Sequence, residues 1–196
     1  MIDLEPPLRA ATPDDAAAMA DLVNFAGDGL ALYLWGKMAE PGQDAWEVGR
    51  QRARRESGGF SYRNTVVAEE DGEVVACLIG YPLPDEPEPI DYTTMPPMFV
   101  ALQELENLAP ATWYVNVVAA YPEHRGRGVG TMLLRVADRL AADTARTGLS
   151  IIVSDANTGA RRLYERTSYK QIATRPAVKG DWKNPVKDWV LLVKRL

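Results

Sequence analysis

Between residues 113 and 147 the chain changes character twice, and this stretch limits the fold more tightly than any other. Residues 113–119 form a near-continuous apolar run broken only at Asn116, which suits a strand covered on both faces and therefore central in its sheet. Tyr121-Pro122-Glu123 reads as a turn, and His124-Arg125-Gly126-Arg127-Gly128-Val129-Gly130 follows it. Residues 131–147 then keep a helical period. Leu133, Val136, Ala137, Leu140 and Thr144 share one face, while Arg135, Asp138, Arg139, Asp143 and Arg146 lie elsewhere. Gly148 is the expected helix stop. A buried strand feeding a helix through a glycine-rich turn calls for a mixed α/β fold.

The remaining elements agree with that class. Residues 8–10 suit a short strand. Thr12-Pro13-Asp14-Asp15 carries a cap residue, a proline at the first helical position and acids in the first turn of a helix reaching about Phe25. Residues 30–38 and 44–56 predict two further helices, the second with Arg50, Arg52, Arg54 and Arg55 as a solvated face. Strands over 65–68 and 73–81 flank Asp71-Gly72, a strong hairpin signal. The connection over 82–97 is Pro-rich and acidic, and its length predicts a functional or mobile loop. A helix over 99–108, strands over 149–154, 171–174 and 188–194, and a helix over 157–167 complete the reading. No internal repeat or domain boundary stands out, so one domain over 1–196 is expected.

Composition narrows the function classes. The 196 residues carry a net charge of −5, which does not favour nucleic acid or anionic membranes as partners. The lone cysteine, Cys77, cannot form an internal disulfide and reads as a buried small hydrophobe, pointing to a reducing, cytoplasmic setting. A lone histidine, His124, speaks against His-rich zinc sites, so no metal is expected. The first residues lack the basic flank and apolar run of a signal peptide, and no apolar stretch is long enough for a membrane span.

The glycine-rich turn carries the chemistry. Glycines let successive N–H groups point into one concavity, a helix start adds unpaired donors and a positive dipole end, and Arg125 and Arg127 add cations. The natural ligand is a phosphate or pyrophosphate, although a ligand-free connector has the same composition. A phosphate loop of the Gly-Lys-Ser/Thr type is missing, and a dinucleotide fingerprint fails at Thr131 or Leu133, where it needs glycine.

Arg125, Gly128 and Gly130, spaced Arg-x-x-Gly-x-Gly after Tyr121-Pro122-Glu123, resemble the acetyl-CoA-binding motif of the GNAT superfamily of N-acetyltransferases. The superfamily's second signature, Asn-x-x-Ala-x-x-x-Tyr, is matched by Asn157, Ala160 and Tyr164. The usual Gly-Phe after that helix is Ser168-Tyr169 here. The two motifs cover about residues 113–173. The resemblance implies a mostly antiparallel central sheet flanked by helices, with a central strand that splays from its neighbour. It implies that Val118, Ala119 and Ala120 pair with the pantetheine arm, and that Arg125, Gly126, Arg127, Gly128, Val129, Gly130 and Thr131 hold the pyrophosphate. Asn157 is implied as a pantetheine hydrogen-bonding partner and Tyr164 as general acid; without the motif, Tyr164 reads as a core aromatic.

The implied activity is acetyl transfer from acetyl-CoA to a primary amine of a small molecule or peptide, by direct attack. A homodimer is compatible with the superfamily. The proton acceptor is open among Glu104, Glu106, Asp91, Asn116 as a water-holder, and a water chain. Tyr33, Trp35 and Trp46 fit an acceptor pocket or core packing, and Asp85, Glu86, Glu88 and Asp91 fit either attraction of a cationic amine or a soluble loop. Other readings are a non-catalytic acyl-CoA sensor and a transferase with another acyl donor or acceptor.

Overall fold

Asp71 and Gly72 both take left-handed backbone conformations, with φ of 52° and 82° in the computed structural model, which describes residues 2–196. That is what a tight two-residue hairpin turn needs, and it joins β2 (Thr65–Glu70) to β3 (Glu73–Pro82) in antiparallel register, Val67 opposite Cys77. By their contacts the described residues form two compact units, 2–80 with 116–134, and 81–115 with 135–196.

In the first unit, β1 (Leu8–Ala10) pairs antiparallel with β2, and a 3-10 turn over Pro13–Asp15 leads into α1 (Ala16–Ala26). Thr12 N donates to Asp15 Oδ2 at 2.7 Å, so the acid in the first turn satisfies a backbone donor of the helix start. Arg9 ties these elements together, reaching Asp15 at 2.8 Å and Glu69 at 2.6 Å, and its guanidinium holds the Asp15 carboxyl below the usual carboxylate range. α2 (Leu30–Met38) and α3 (Ala45–Ala53) follow. Met19, Leu22, Val67, Cys77, Ile79, Val117 and Ala119 form the core. Cys77 is fully buried, as its apolar strand predicts, and burial pushes its thiol up to about 12.

The second unit holds α4 (Pro97–Glu106), most of α5 (Val129–Asp143), β5 (Gly148–Ser154), α6 (Thr158–Arg166), β6 (Lys170–Pro176) and β7 (Asp188–Arg195). Leu105, Ala109 and Leu191 are buried together there. β4 (Trp113–Ala120) begins in this unit and ends in the first. The strand order is β1-β2-β3-β4-β5-β7-β6, which makes β4 central. Every recorded pairing is antiparallel except β4 with β5. The fold is the expected mixed α/β class, a mostly antiparallel sheet flanked by helices.

Two expectations need correction. α5 ends at Asp143 rather than running to Gly148. Ala145 takes the left-handed position (φ 53°), Arg146 N donates to Ala141 O at 2.9 Å and Ala145 N to Ala142 O at 3.0 Å, a complete helix stop built without glycine. Gly148 instead opens β5. The acidic connection before α4, expected to be functional or mobile, is fastened at several points. Leu83 N donates to Thr112 O at 2.8 Å, Arg146 Nη1 donates to Leu83 O at 3.0 Å, and the Asn107 side chain bonds both the N–H (2.9 Å) and C=O (2.7 Å) of Glu88. The α3 helix is also shorter than its arginine-rich run, because Arg55 turns back to the carbonyls of Arg52 and Phe60.

Ser168 shows why glycine is usual at its position, for its φ is 75°. A side chain there costs about 1 kcal/mol. Ser168→Gly therefore raises stability by about 1 kcal/mol, read as a higher urea midpoint at unchanged slope; an unchanged midpoint would show that the left-handed turn is not strained.

Candidate functional site

β4 and β5 pair at two positions, Trp113 with Leu149 and Tyr114 with Ser150, although both strands continue. Within the second unit the β4–β5 pairing thus stops at Tyr114, while β4 runs on to Ala120. Val118 and Ala120 are half-buried, and Ala119 packs into the core of the first unit. A strand edge without a partner presents N–H and C=O groups to any extended ligand.

β4 continues into the glycine-rich turn. Arg125 Nε donates to Ala120 O at 3.0 Å, fastening the turn to the end of β4, and its guanidinium lies 5.9 Å from the Phe25 ring centroid. Gly126 and Gly128 have φ of 76° and 87°, and a Cβ on either would meet nothing within 4 Å, so the turn faces open space. Met132 N donates to Gly128 O at 3.1 Å, the first helical bond of α5. The N–H groups of Val129, Gly130 and Thr131 are left as helix-start donors. Val129 is buried and anchors the helix, whereas Arg127 is exposed and 3.9 Å from Glu70. Glycines, donors and cations together suit a pyrophosphate. His124 is a turn residue, its Nδ1 3.2 Å from Glu70 Oε2 without hydrogen-bond geometry.

In the second unit, Asn157 caps α6, its Oδ1 accepting from Ala160 N at 3.1 Å. Half of its amide is thus committed to the helix. Tyr164, two helical turns beyond that cap, is 5% exposed, and burial pushes its phenol above the ordinary range, so the hydroxyl keeps its proton at neutral pH. Its ring lies 5.9 Å from that of Tyr169, the residue in place of the usual Phe.

The four side chains considered as proton acceptors are no longer equivalent. Glu104 is bound by Arg175 at 2.6 Å. Asp91 accepts from Thr93 N and from the hydroxyls of Thr93 and Thr94, which hold it down to about 2 as a loop-stabilising acid. Asn116 is half-buried on β4. Glu106, the last residue of α4, is pushed up to about 7 by burial and by the nearby Glu88 carboxylate. Its charge acts on the hydroxyls of Tyr81 and Tyr114, whose rings meet edge to face at 5.6 Å. These two tyrosines carry no sequence signal; only the pairing of β3 and β4 with their surroundings singles them out. Of the candidate acceptor-site aromatics, Trp35 is core, packed against Trp46 and stacked on Phe60. Asp85 is tied to Arg146 at 2.6 Å, while Glu86 and Glu88 line a cleft with Glu106.

The acetyltransferase (GNAT) family model matches residues 31–169. No curated protein sequence matches the chain. Similar solved structures include an acetyltransferase at 20% identity, covering 96% of this chain and 98% of that one with a TM-score of 0.66. An N-acetyltransferase from Staphylococcus aureus Mu50 shares 18% identity over 95% and 98% of the two chains, at a TM-score of 0.62. A GNAT family acetyltransferase from Elizabethkingia anophelis with acetyl-CoA bound shares 19% over 67% and 75%, at 0.50. At such identities these structures are likenesses of fold. With the family model spanning most of the sequence, including the turn and Tyr164, the chain belongs to the acetyltransferase (GNAT) family.

Proposed function

We propose that the protein transfers an acetyl group from acetyl-CoA to a primary amine of a small molecule or peptide, by direct attack of the amine. The observation that carries the reading is a β4–β5 pairing that stops at Tyr114, with β4 running on into an open, donor-lined turn. Pantetheine is an extended amide chain and pyrophosphate a dianion, so one ligand fits both parts. Acetyl-CoA bound to the Elizabethkingia anophelis relative supports the same donor.

Acetyl-CoA, when bound, supplies an acetyl thioester. Val118, Ala119 and Ala120 pair with the pantetheine amides, residues 125–131 hold the pyrophosphate, and Asn157 orients the arm with the part of its amide that does not cap α6. Tyr164 is the acid. A phenol that keeps its proton at neutral pH can give it to a departing thiolate as negative charge develops beside it. Apolar burial makes it a weak acid in the resting protein, so donation waits for that charge. The lone, buried Cys77 fits a reducing, cytoplasmic setting.

Tyr164→Phe tests the reading with thiol release from acetyl-CoA over polyamines, amino acids, aminoglycosides and short peptides. Turnover falls by about 100-fold or more, while acetyl-CoA affinity by calorimetry stays within about twofold. Equal turnover in the variant would remove Tyr164 from the chemistry. Tight binding without turnover on any acceptor would favour an acyl-CoA sensor.

A further inference from the structure

We propose that His124 and Glu70 couple the binding of a phosphate-bearing ligand at the glycine-rich turn to the uptake of a proton by the imidazole; the inference rests on the phosphate reading of that turn. His124 is the only histidine of the chain and has no part in the chemistry above. It belongs to the first unit, as do the β2–β3 hairpin and the turn. Tyr121 N donates to Val75 O at 3.0 Å, which fastens the end of β4 to β3, and His124 N donates to Tyr121 O at 3.0 Å. These bonds set the ring against Glu70, the last residue of β2, whose backbone is fixed by the two-residue hairpin turn. Nδ1 is buried and lies 3.2 Å from Glu70 Oε2. Two lone pairs repel at that distance, so Nδ1 carries a hydrogen and the titrating nitrogen is Nε2. Arg127, from the turn itself, comes within 3.9 Å of the same carboxylate oxygen.

One oxygen thus serves an imidazole that is charged only when protonated and a guanidinium that is always charged. A phosphate on the turn draws Arg127 to itself, so Glu70 is left to the imidazole. The phosphates also add negative charge within the same turn as the ring. Both changes favour the protonated ring, and by linkage protonation strengthens phosphate binding by the same factor. Glu70 and Arg127 are exposed side chains, which keeps the coupling modest, at about three- to tenfold. The other charged groups around the ring do not carry it. Glu69 of β2 is engaged by Arg9 at 2.6 Å, Asp21 of α1 accepts from the Tyr121 hydroxyl at 3.2 Å, and Arg125 is fastened to Ala120 O at 3.0 Å. Asp71 and Glu73 of the hairpin and Glu123 of the turn are exposed acids without a share in Arg127, so their effect is the same with and without ligand.

A lone histidine makes the test direct, because the one imidazole signal in the proton NMR spectrum is His124. Saturating acetyl-CoA moves the midpoint of its titration up by about 0.5–1 pH unit. Glu70→Gln cuts that movement by half or more. Calorimetry in two buffers of different ionisation enthalpy reads the same coupling as net proton uptake. Near the midpoint His124→Gln takes up about 0.3–0.5 proton fewer per acetyl-CoA than the wild type. The ligand's own 3′-phosphate, which titrates near about 6, cancels in that difference. Relative to His124→Gln, wild-type affinity for acetyl-CoA rises about three- to tenfold from pH 8 to pH 5.5. A midpoint that acetyl-CoA leaves in place, or that moves as far in Glu70→Gln as in the wild type, overturns this inference while the phosphate reading stands. No binding of acetyl-CoA at any pH overturns both.

Discussion

Gly128→Asp abolishes acetyl-CoA binding, lowering affinity by at least about 100-fold, or about 2.7 kcal/mol, in a protein that remains folded. Two facts separate binding from folding at this position. A Cβ on Gly128 meets nothing within 4 Å, so the side chain displaces no part of the core. Its φ of 87° does strain any side chain, by about 1 kcal/mol, and aspartate tolerates that region better than most residues. What changes is the electrostatics of the turn. The new carboxylate sits at the start of α5, where it takes up the N–H donors and the Arg125 and Arg127 charges that a pyrophosphate needs, and repels the phosphates. Gly128→Ala adds the strain without the charge and loses far less. Calorimetry with acetyl-CoA separates the two, and circular dichroism verifies the fold. Unchanged affinity in folded Gly128→Asp would place the phosphates elsewhere.

The parts of the molecule legible from its sequence are those determined by neighbours along the chain. The Asp71-Gly72 hairpin, the Thr12-Pro13 helix start and the apolar run of β4 each follow from backbone preference or local pattern, and each lies where expected. The α5 stop was misread because the glycine rule points to Gly148, whereas Ala145 accepts the left-handed turn and the two helix-closing bonds compensate it. The rest depends on residues far apart. Glu104, Glu106 and Asp91 are indistinguishable as letters. One meets Arg175 from β6, one is buried beside Glu88, and one is tied up by its own loop. Nothing local in the acidic connection shows what fastens it; Arg146 and Asn107 do so from elsewhere in the sequence. In the same way Asn157 and Tyr164 were found through a motif, while Tyr81 and Tyr114, whose rings meet edge to face, have no motif.

Gly148→Ala destabilises the fold by about 2–3 kcal/mol, the largest stability effect expected of so small a change. Gly148 opens β5 opposite Arg195 of β7, and a Cβ there would run into the carbonyl oxygen of Lys194, with Arg195 Cα and Lys194 C at 3.2 Å. All of these are backbone atoms, so no side chain can swing aside. The neighbour cannot move as a strand either. β7 is hydrogen-bonded on both edges, to β5 and to β6, and the Lys194 ammonium is held by Asp138 of α5 at 2.7 Å. The added methyl must therefore shift the end of the β5–β7 ladder and with it the ion pair to α5. Gly36→Ala supplies the opposite sign. In the last turn of α2, with nothing within 4 Å of the new Cβ, it stabilises by about 0.5 kcal/mol through helix propensity alone. Urea unfolding of the two variants beside the wild type separates close approach from conformational freedom as the reason for glycine. A midpoint for Gly148→Ala at or above that of the wild type would mean that the end of β7 yields and that residue 148 owes its glycine to something other than packing.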